Sequence, residues 1–405
     1  MTPPFASRGA IPIPHDPALE GLAALLDGEQ LSKAMASALG LTDVVVRPRY
    51  VRYKPGNKAI VLSDVRLSGA WTTAVVTLAA LKDMSGGGRR RRAIADRARS
   101  RCLAPEPIQY LEELKVLVEW YPANRSIPGL VADLSALRDD LERRGIVLGE
   151  AEQPALVSYK PERRAVLKWG GAYLKAYVDP TDFQTAASAL GTSAGIPGLL
   201  TPHPIARYGA DRLTVQTELP GSSPSAPPPC SEIGHLLATL HASHIGDLPP
   251  FRRSDHVEGA RKTLEHLRAL VPERQSTLDR IESRIAPSSR PESLVPSHGD
   301  FHERQVTATP AGPGLVDFDH MCLAEPAYDL CTFAAHRVRG DPEDLQKTRA
   351  AIDDLSLGYG ATPAGIDWYL PLAIIRRTPF PFRFLEPDWP ARIARMLDVA
   401  ESLLV

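Results

Sequence analysis

Residues 298 to 306 read His-Gly-Asp-Phe-His-Glu-Arg-Gln-Val, and an apolar run soon after carries Asp317 and Asp319 on either side of Phe318. Acids in this pattern suit a hard dication. Mg²⁺ takes oxygen ligands, keeps several waters, and is commonly held by one or two carboxylates together with substrate phosphates. Asp317 follows Pro-Gly-Leu-Val, the context of a carboxylate displayed at the end of a short buried strand, whereas Asp300 stands in Ser-His-Gly-Asp, which reads as a loop. The intervening Thr-Pro-Ala-Gly-Pro-Gly can close a hairpin and return Asp317 to the neighbourhood of Asp300. A loop carboxylate and a strand-end carboxylate converging on a metal–phosphate group is the arrangement phosphoryl transfer requires.

The segment resembles a known family. His298-Gly-Asp300 followed by Leu-Val-Asp317-Phe-Asp319 is similar to the paired motifs of the aminoglycoside phosphotransferase and choline kinase superfamily, relatives of the protein kinases. The pattern of that superfamily is His-Gly-Asp-x-x-x-x-Asn, then an apolar strand ending in Asp-x-Asp or Asp-x-Glu. Glu-Pro-Ala-Tyr-Asp-Leu at 325–330 resembles the Asp-Pro-x-x-Asp-Leu that often follows, and Leu-Leu-Ala-Thr-Leu-His-Ala-Ser at 236–243 resembles the helix that opens the C-terminal lobe. The likeness spans roughly residues 154 to 337. It implies that Asp300 is the catalytic base for an acceptor hydroxyl and that Asp317 holds Mg²⁺. It further implies that His298 braces the loop and that Asp329 anchors it from the next helix. Asp319 either joins the metal or caps the turn, and His302 either contacts substrate or phosphate or is structural. The departure is Gln305, which stands where the family's Asn would ligate metal. Its amide also offers a carbonyl oxygen, on a side chain longer by one methylene.

On the nucleotide side, Gly-Gly-Ala-Tyr-Leu-Lys-Ala-Tyr-Val at 170–178 alternates as a strand does, with Tyr173, Lys175 and Tyr177 on one face. By the same resemblance, Lys175 corresponds to the strand lysine that pairs with the α- and β-phosphates. Tyr-Lys-Pro-Glu-Arg-Arg-Ala-Val-Leu-Lys-Trp-Gly-Gly before it would form the hairpin over the nucleotide, with Arg163 and Arg164 offering charge to phosphate. No G-x-G-x-x-G loop is present, and Asp182 is the nearest acid that could pair with Lys175. The stretch at Glu218 and Leu219 is expected to meet the nucleobase through backbone amide and carbonyl groups.

These residues need elements to hold them. Residues 17 to 40 carry helical spacing that stops at Gly40, and two β-branched runs, 44–67 and 71–81, read as strands with Pro55-Gly56 as a turn. Arg-Tyr-Lys-Pro-Gly-Asn-Lys-Ala-Ile-Val-Leu at 52–62 returns as Ser-Tyr-Lys-Pro-Glu-Arg-Arg-Ala-Val-Leu-Lys at 158–168, which predicts a duplicated β-rich unit. Ser-Gly-Gly-Gly-Arg-Arg-Arg-Arg at 85–92 reads as a mobile basic loop, and the Pro/Ser-rich stretch near 219–231 as a linker. Beyond it the chain is helical apart from the acid cluster. The expected class is α+β: a protein-kinase-like bilobal fold with an extra N-terminal β-rich unit that duplicates the nucleotide lobe. The domains are expected at 1–150 (an N-terminal cap-like unit), 151–220 (the nucleotide-binding lobe) and 221–405 (the helical catalytic and acceptor-binding lobe).

The totals agree with a soluble globular protein. The 405 residues are 43% hydrophobic and 23% charged, enough to bury a core and long enough for two or three domains. A net charge of -1 gives no electrostatic reason to expect nucleic acid or an anionic membrane as partner. The N-terminus shows no signal peptide, no apolar run reaches membrane-spanning length, and the four cysteines form no C-x-x-C pair, so a reduced cytoplasmic setting is expected. The leading functional expectation is an ATP- or GTP-dependent, Mg²⁺-requiring phosphotransferase acting on a hydroxyl of a small molecule. The alternatives are a peptide Ser/Thr kinase of a modified-peptide pathway and a kinase-fold binding protein without activity.

Overall fold

Two runs of β-branched and aromatic residues, each closed by a turn that opens with Lys-Pro, form the leading hairpins of two five-stranded sheets. The structure is a computed structural model that describes residues 11–79, 88–219, 228–286 and 290–404. The chain begins with α1 (Leu22–Leu26) and α2 (Gly28–Leu39), so the helix expected over 17–40 is broken in two. The break falls at Asp27, whose carboxylate accepts from the Glu29 and Gln30 N–H groups and caps α2. There follow β1 (Val44–Lys54), β2 (Lys58–Leu67), β3 (Ala70–Ala79), α3 (Arg89–Ala98), β4 (Ile108–Leu111) and β5 (Val116–Trp120), with the sheet ordered β1-β2-β3-β5-β4. Arg89 to Arg92 were expected in a basic loop, but they open α3. Arginine is a good helix former, and Ala93, Ile94 and Ala95 continue the helix. Residues 85–87 of that stretch lie outside the described residues.

After α4 (Leu134–Arg143) the plan repeats. Strands β6 (Ala155–Lys160), β7 (Arg164–Trp169) and β8 (Ala172–Tyr177) lead into α5 (Pro180–Ser193), then β9 (Pro204–Tyr208) and β10 (Leu213–Thr217). The sheet order is β6-β7-β8-β10-β9, the order of the first sheet, with the helix inserted after the third strand both times. Even the register agrees: Tyr53 faces Ala59 across β1–β2, and Tyr159 faces Ala165 across β6–β7. The N-terminal unit is thus a second copy of the sheet that follows it.

The two turns differ in one instructive way. Gly56 takes the left-handed conformation at φ 66° in the first turn, and Glu162 takes it at φ 54° in the second. A non-glycine residue there is strained by about 1 kcal/mol. The Glu162 carboxylate forms ion pairs with Lys58 and Arg52, and the Arg52 guanidinium also donates to the Pro161 and Glu162 carbonyls at 3.2 Å each. Side-chain pairing with the first hairpin therefore offsets backbone strain in the second.

By packing, the chain gathers into two units: Met1–Phe183 with Arg207–Leu213 and Pro381–Trp389, and Gln184–Ala206 with Thr214–Phe380 and Pro390–Val405. The second unit holds the long helices α6 (Cys230–His241), α7 (Arg253–Leu270) and α8 (Gln275–Arg284). The short strands β11 (Val295–Ser297), β12 (Val306–Thr309), β13 (Gly312–Leu315) and β14 (Cys322–Ala324) come next. Helices α9 (Ala327–Ala335), α10 (Asp344–Tyr359), α11 (Ile366–Arg377), α12 (Phe380–Arg383) and α13 (Trp389–Leu403) complete the chain. The helical half expected from sequence therefore carries two small sheets, β11 with β14 and β12 with β13. Residues 220–227 of the expected linker lie outside the described residues. Leu236, Leu237 and Leu240 of α6 pack with Phe301, Leu315, Phe318, Leu330 and Phe333 in one core, so the apolar residues interleaved with the acids pin the acid cluster from behind. Among the described residues, no helix is long and apolar enough to cross a membrane.

The pairing at Glu162 predicts a graded response. Glu162→Ala loses the ion pairs and keeps the strain, and should cost about 1 kcal/mol in urea unfolding. Glu162→Gly relieves the backbone and should cost less than the alanine variant. A glycine variant less stable than the alanine one would show that the turn is not strained.

Candidate active site

The second unit builds the site from a buried carboxylate outward. Asp329, in the first turn of α9, is fully buried. Its Oδ2 accepts from the His298 backbone N–H at 2.7 Å and its Oδ1 from that of Gly299 at 3.0 Å, while His241 Nε2 of α6 lies 3.3 Å away. Burial pushes the Asp329 carboxyl up, but the hydrogen bonds and charge from His241 and His298 outweigh it and hold the group below its ordinary value. The Tyr328 hydroxyl donates to the Gly299 carbonyl at 2.7 Å. Gly299 itself has φ 82°, and a β-carbon there would stand 1.9 Å from the His320 carbonyl oxygen. Only glycine lets the loop pass the later turn so closely.

His298 joins the two acid-bearing segments. Its ring is fully buried beside Phe301 and Phe318, with centroids 5.8 and 5.0 Å away. Nε2–H donates to the Val316 carbonyl at 3.0 Å, and Nδ1 faces the Asp300 N–H at 3.4 Å, which sets one tautomer for both contacts. The buried imidazole thereby links the Asp300 loop to the segment that carries Asp317.

The β12–β13 hairpin forms and sets Asp317 beside Gln305. Val306 pairs with Leu315, and the Val316 N–H donates to the Gln305 carbonyl at 2.9 Å, so Gln305 and Asp317 become neighbours. The Gln305 amide, almost fully buried, lies 3.3 Å from Asp317 Oδ2. Asp317 has φ 68° and ψ 54°, the left-handed conformation that an aspartate adopts more readily than most residues. The Gln305 amide nitrogen donates to Asp317 Oδ2, and the carboxylate and the amide both carry hard oxygen donors of the kind Mg²⁺ takes. The extra methylene of Gln305 does not keep it from the carboxylate. Asp319 sits half-buried in the short turn Phe318–His320.

His302 caps the turn Glu303–Gln305, with Nδ1 accepting from the Arg304 N–H at 3.2 Å and Nε2 3.2 Å from the Gln305 amide nitrogen. Burial, with His298 and Arg377 adding, pulls it down to about 4 against the attraction of Asp300 and Asp317. Sequence reasoning missed its partner. His336, just past the end of α9, stacks on the His302 ring at 4.1 Å and 22°. Burial and the nearby Arg377 push His336 far below the usual histidine range. The available signal was its place two helical turns beyond Asp329.

The remaining residues fall as follows. Leu219 packs over Gly314 of β13, where a β-carbon would meet its Cδ1 at 2.9 Å, so the segment after β10 is seated on the hairpin that carries Gln305 and Asp317. Glu218 beside it is half-buried. In the first unit, Lys175 is 6% exposed on β8 opposite Val166, and Asp182 is exposed on α5. The position in the first sheet that corresponds to Lys175, opposite Ile60, is the buried Thr77. The duplicate thus carries a hydroxyl where the second sheet carries an ammonium.

Residues 162–369 match the model of the phosphotransferase enzyme family. The chain belongs to that family. Solved structures with a similar fold include the gentamicin complex of APH(2")-IIa, at 11% identity over 68% of this chain and 99% of that one, TM-score 0.48. A choline/ethanolamine kinase family protein from Mesorhizobium loti is similar at 13% identity over 66% and 99%, TM-score 0.41. Aminoglycoside phosphotransferase APH(3'')-Id from Streptomyces rimosus is similar at 17% identity over 66% and 98%, TM-score 0.41. No curated protein matches the chain. The family match carries the assignment to the phosphotransferases, as the motifs implied.

Two outcomes are expected. Asp329→Ala leaves the His298 and Gly299 N–H groups and His241 without their shared acceptor, and should destabilise the fold by about 3 kcal/mol or more in denaturant titration. The second concerns His256, buried among Phe251, Tyr328 and Tyr369 at centroid distances of 4.4, 4.4 and 4.9 Å. Burial, with Arg376 adding, lowers it from the ordinary 6.5 to about 3. A depressed folded-state value means that the unfolded chain binds the proton first. Its stabilising share is therefore complete above pH 6.5 and is lost as pH falls from 6.5 toward 3. Thermal melts at pH 7.5 and 4.5 should show a smaller drop for His256→Phe than for the parent. Equal drops would remove His256 from the acid response.

Proposed function

We propose that the protein transfers the γ-phosphoryl group of ATP or GTP, with Mg²⁺, to a hydroxyl of a small molecule such as an antibiotic, an amino alcohol or a sugar. The observation that carries this reading is the meeting of Gln305 with Asp317, 3.3 Å apart, on a hairpin that His298 ties to the Asp300 loop. Asp300 accepts the acceptor's proton as the acceptor oxygen attacks the γ-phosphorus and the bond to the β-phosphate oxygen breaks. Asp317 and Gln305 hold the metal, with Asp319 in reserve on the adjoining turn. Mg²⁺ bound there neutralises phosphate charge. Lys175 on β8 serves the α- and β-phosphates, the part the family resemblance gives to the strand lysine. Glu218 and Leu219 offer backbone groups to the nucleobase.

In this reading, 151–220 is the nucleotide-binding lobe, 221–405 the catalytic and acceptor lobe, and 1–150 a cap. Thr77 in place of the lysine supports a cap without a nucleotide site of its own. A kinase fold retired to binding alone is disfavoured by the retained pair of Asp317 and Gln305.

The test is Asp300→Asn, assayed by nucleotide consumption over a panel of hydroxyl acceptors. The variant should lose about 10² to 10⁴ in kcat, the usual contribution of a positioned base, with little change in nucleotide affinity. Turnover equal to the parent on every acceptor would end the proposal.

A further inference from the structure

The motif residues do not exhaust the chemistry gathered here. Asp300, His302 and His336 each present one ligand atom, and these atoms lie within 4.8 Å of one another. We infer that these three side chains form a binding site for a zinc-class divalent cation, separate from the Asp317–Gln305 pair. Two imidazoles and one carboxylate are the donor set that borderline metals such as Zn²⁺, Co²⁺ and Ni²⁺ select, and they leave coordination positions open for water. Mg²⁺ prefers oxygen ligands and has little use for two imidazoles.

The surroundings sharpen that choice. The His302 and His336 rings stand 4.1 Å apart, so both bring nitrogen donors beside Asp300, and rotation of one ring out of the stack turns the two in-plane lone pairs toward one ion. Arg304, Arg339 and Arg377 all act on His336 as positive neighbours, so a cation held by charge alone is disfavoured and one forming strong nitrogen bonds is favoured. The Arg304 N–H and the Gln305 amide already address the two nitrogens of His302, each at 3.2 Å. A metal must displace one of them, and at that length either contact is a weak competitor. Occupancy takes up the Asp300 carboxylate. If Asp300 is the base of the proposed phosphotransfer, on which this consequence rests, the filled site inhibits the enzyme even with Mg²⁺ in excess.

Binding can be read without any phosphoryl acceptor. Co²⁺ added to the full chain in excess Mg²⁺ should give visible absorption that saturates at one equivalent and disappears on addition of Zn²⁺. His336→Gln should weaken Co²⁺ binding by roughly tenfold or more. His336→Phe, which keeps the ring stack, should do the same and guards against a folding defect in the first variant. Asp317→Asn should leave the absorption in place. Zn²⁺ should inhibit turnover in the parent and inhibit it less in either His336 variant. The inference is overturned if no Co²⁺ absorption develops, if the His336 variants bind as the parent does, or if Asp317→Asn abolishes binding. A chain that binds Co²⁺ as described but shows no phosphotransfer supports the site and refutes the proposed function.

Discussion

Much of the second unit is organised around the Asp329 carboxylate. It is fully buried, yet it ties the start of the His298–Asp300 loop to α9 and faces His241 of α6. An unpaired charge in that position would be costly, and the three partners convert the cost into constraint. Because the same carboxylate holds two consecutive N–H groups, the loop has little freedom to rotate. Asp300 inherits its place from that restraint, and His298 passes it on to Asp317 through Val316. Preorganisation of this kind lets a site act through positioning, which is what phosphoryl transfer asks of a protein.

The duplicated sheet shows how a fold can be copied without its chemistry. Strand order, helix insertion and the Tyr–Ala register recur, because β-branched alternation and a turn led by Lys-Pro suffice to specify them. One buried position differs: Thr77 stands where the second sheet has Lys175. The turns carry the complementary lesson, since strain at Glu162 persists where Arg52 and Lys58 give its carboxylate partners.

Several imidazoles of the second unit are buried or half-buried. His298 is used for bracing and His256 for packing among aromatic rings, whereas His302 and His336 stack against each other beside Asp300. Burial lowers both His256 and His302 below the ordinary histidine value, with Arg376 adding at the first and His298 and Arg377 at the second.

Much was legible in the sequence itself. The His-Gly-Asp and Asp-x-Asp motifs, the turn between them, the repeated Tyr-Lys-Pro segment and most of the helices follow from spacing and turn chemistry, which act over a few residues. The fold class and the phosphotransferase family rest on these local signals and agree with the family match. Other features needed the folded chain. Asp27 splits a helix that periodicity ran together, and Arg89 to Arg92 begin a helix where composition suggested a loop. Gln305 looked like a departure until the β12–β13 register set it against Asp317. His336 became visible only when α9 delivered it to His302, because a stack between a loop and a helix end is written in packing, not in the order of neighbouring residues. Tertiary structure decided these points for one physical reason: each depends on contacts between segments that local propensity does not couple.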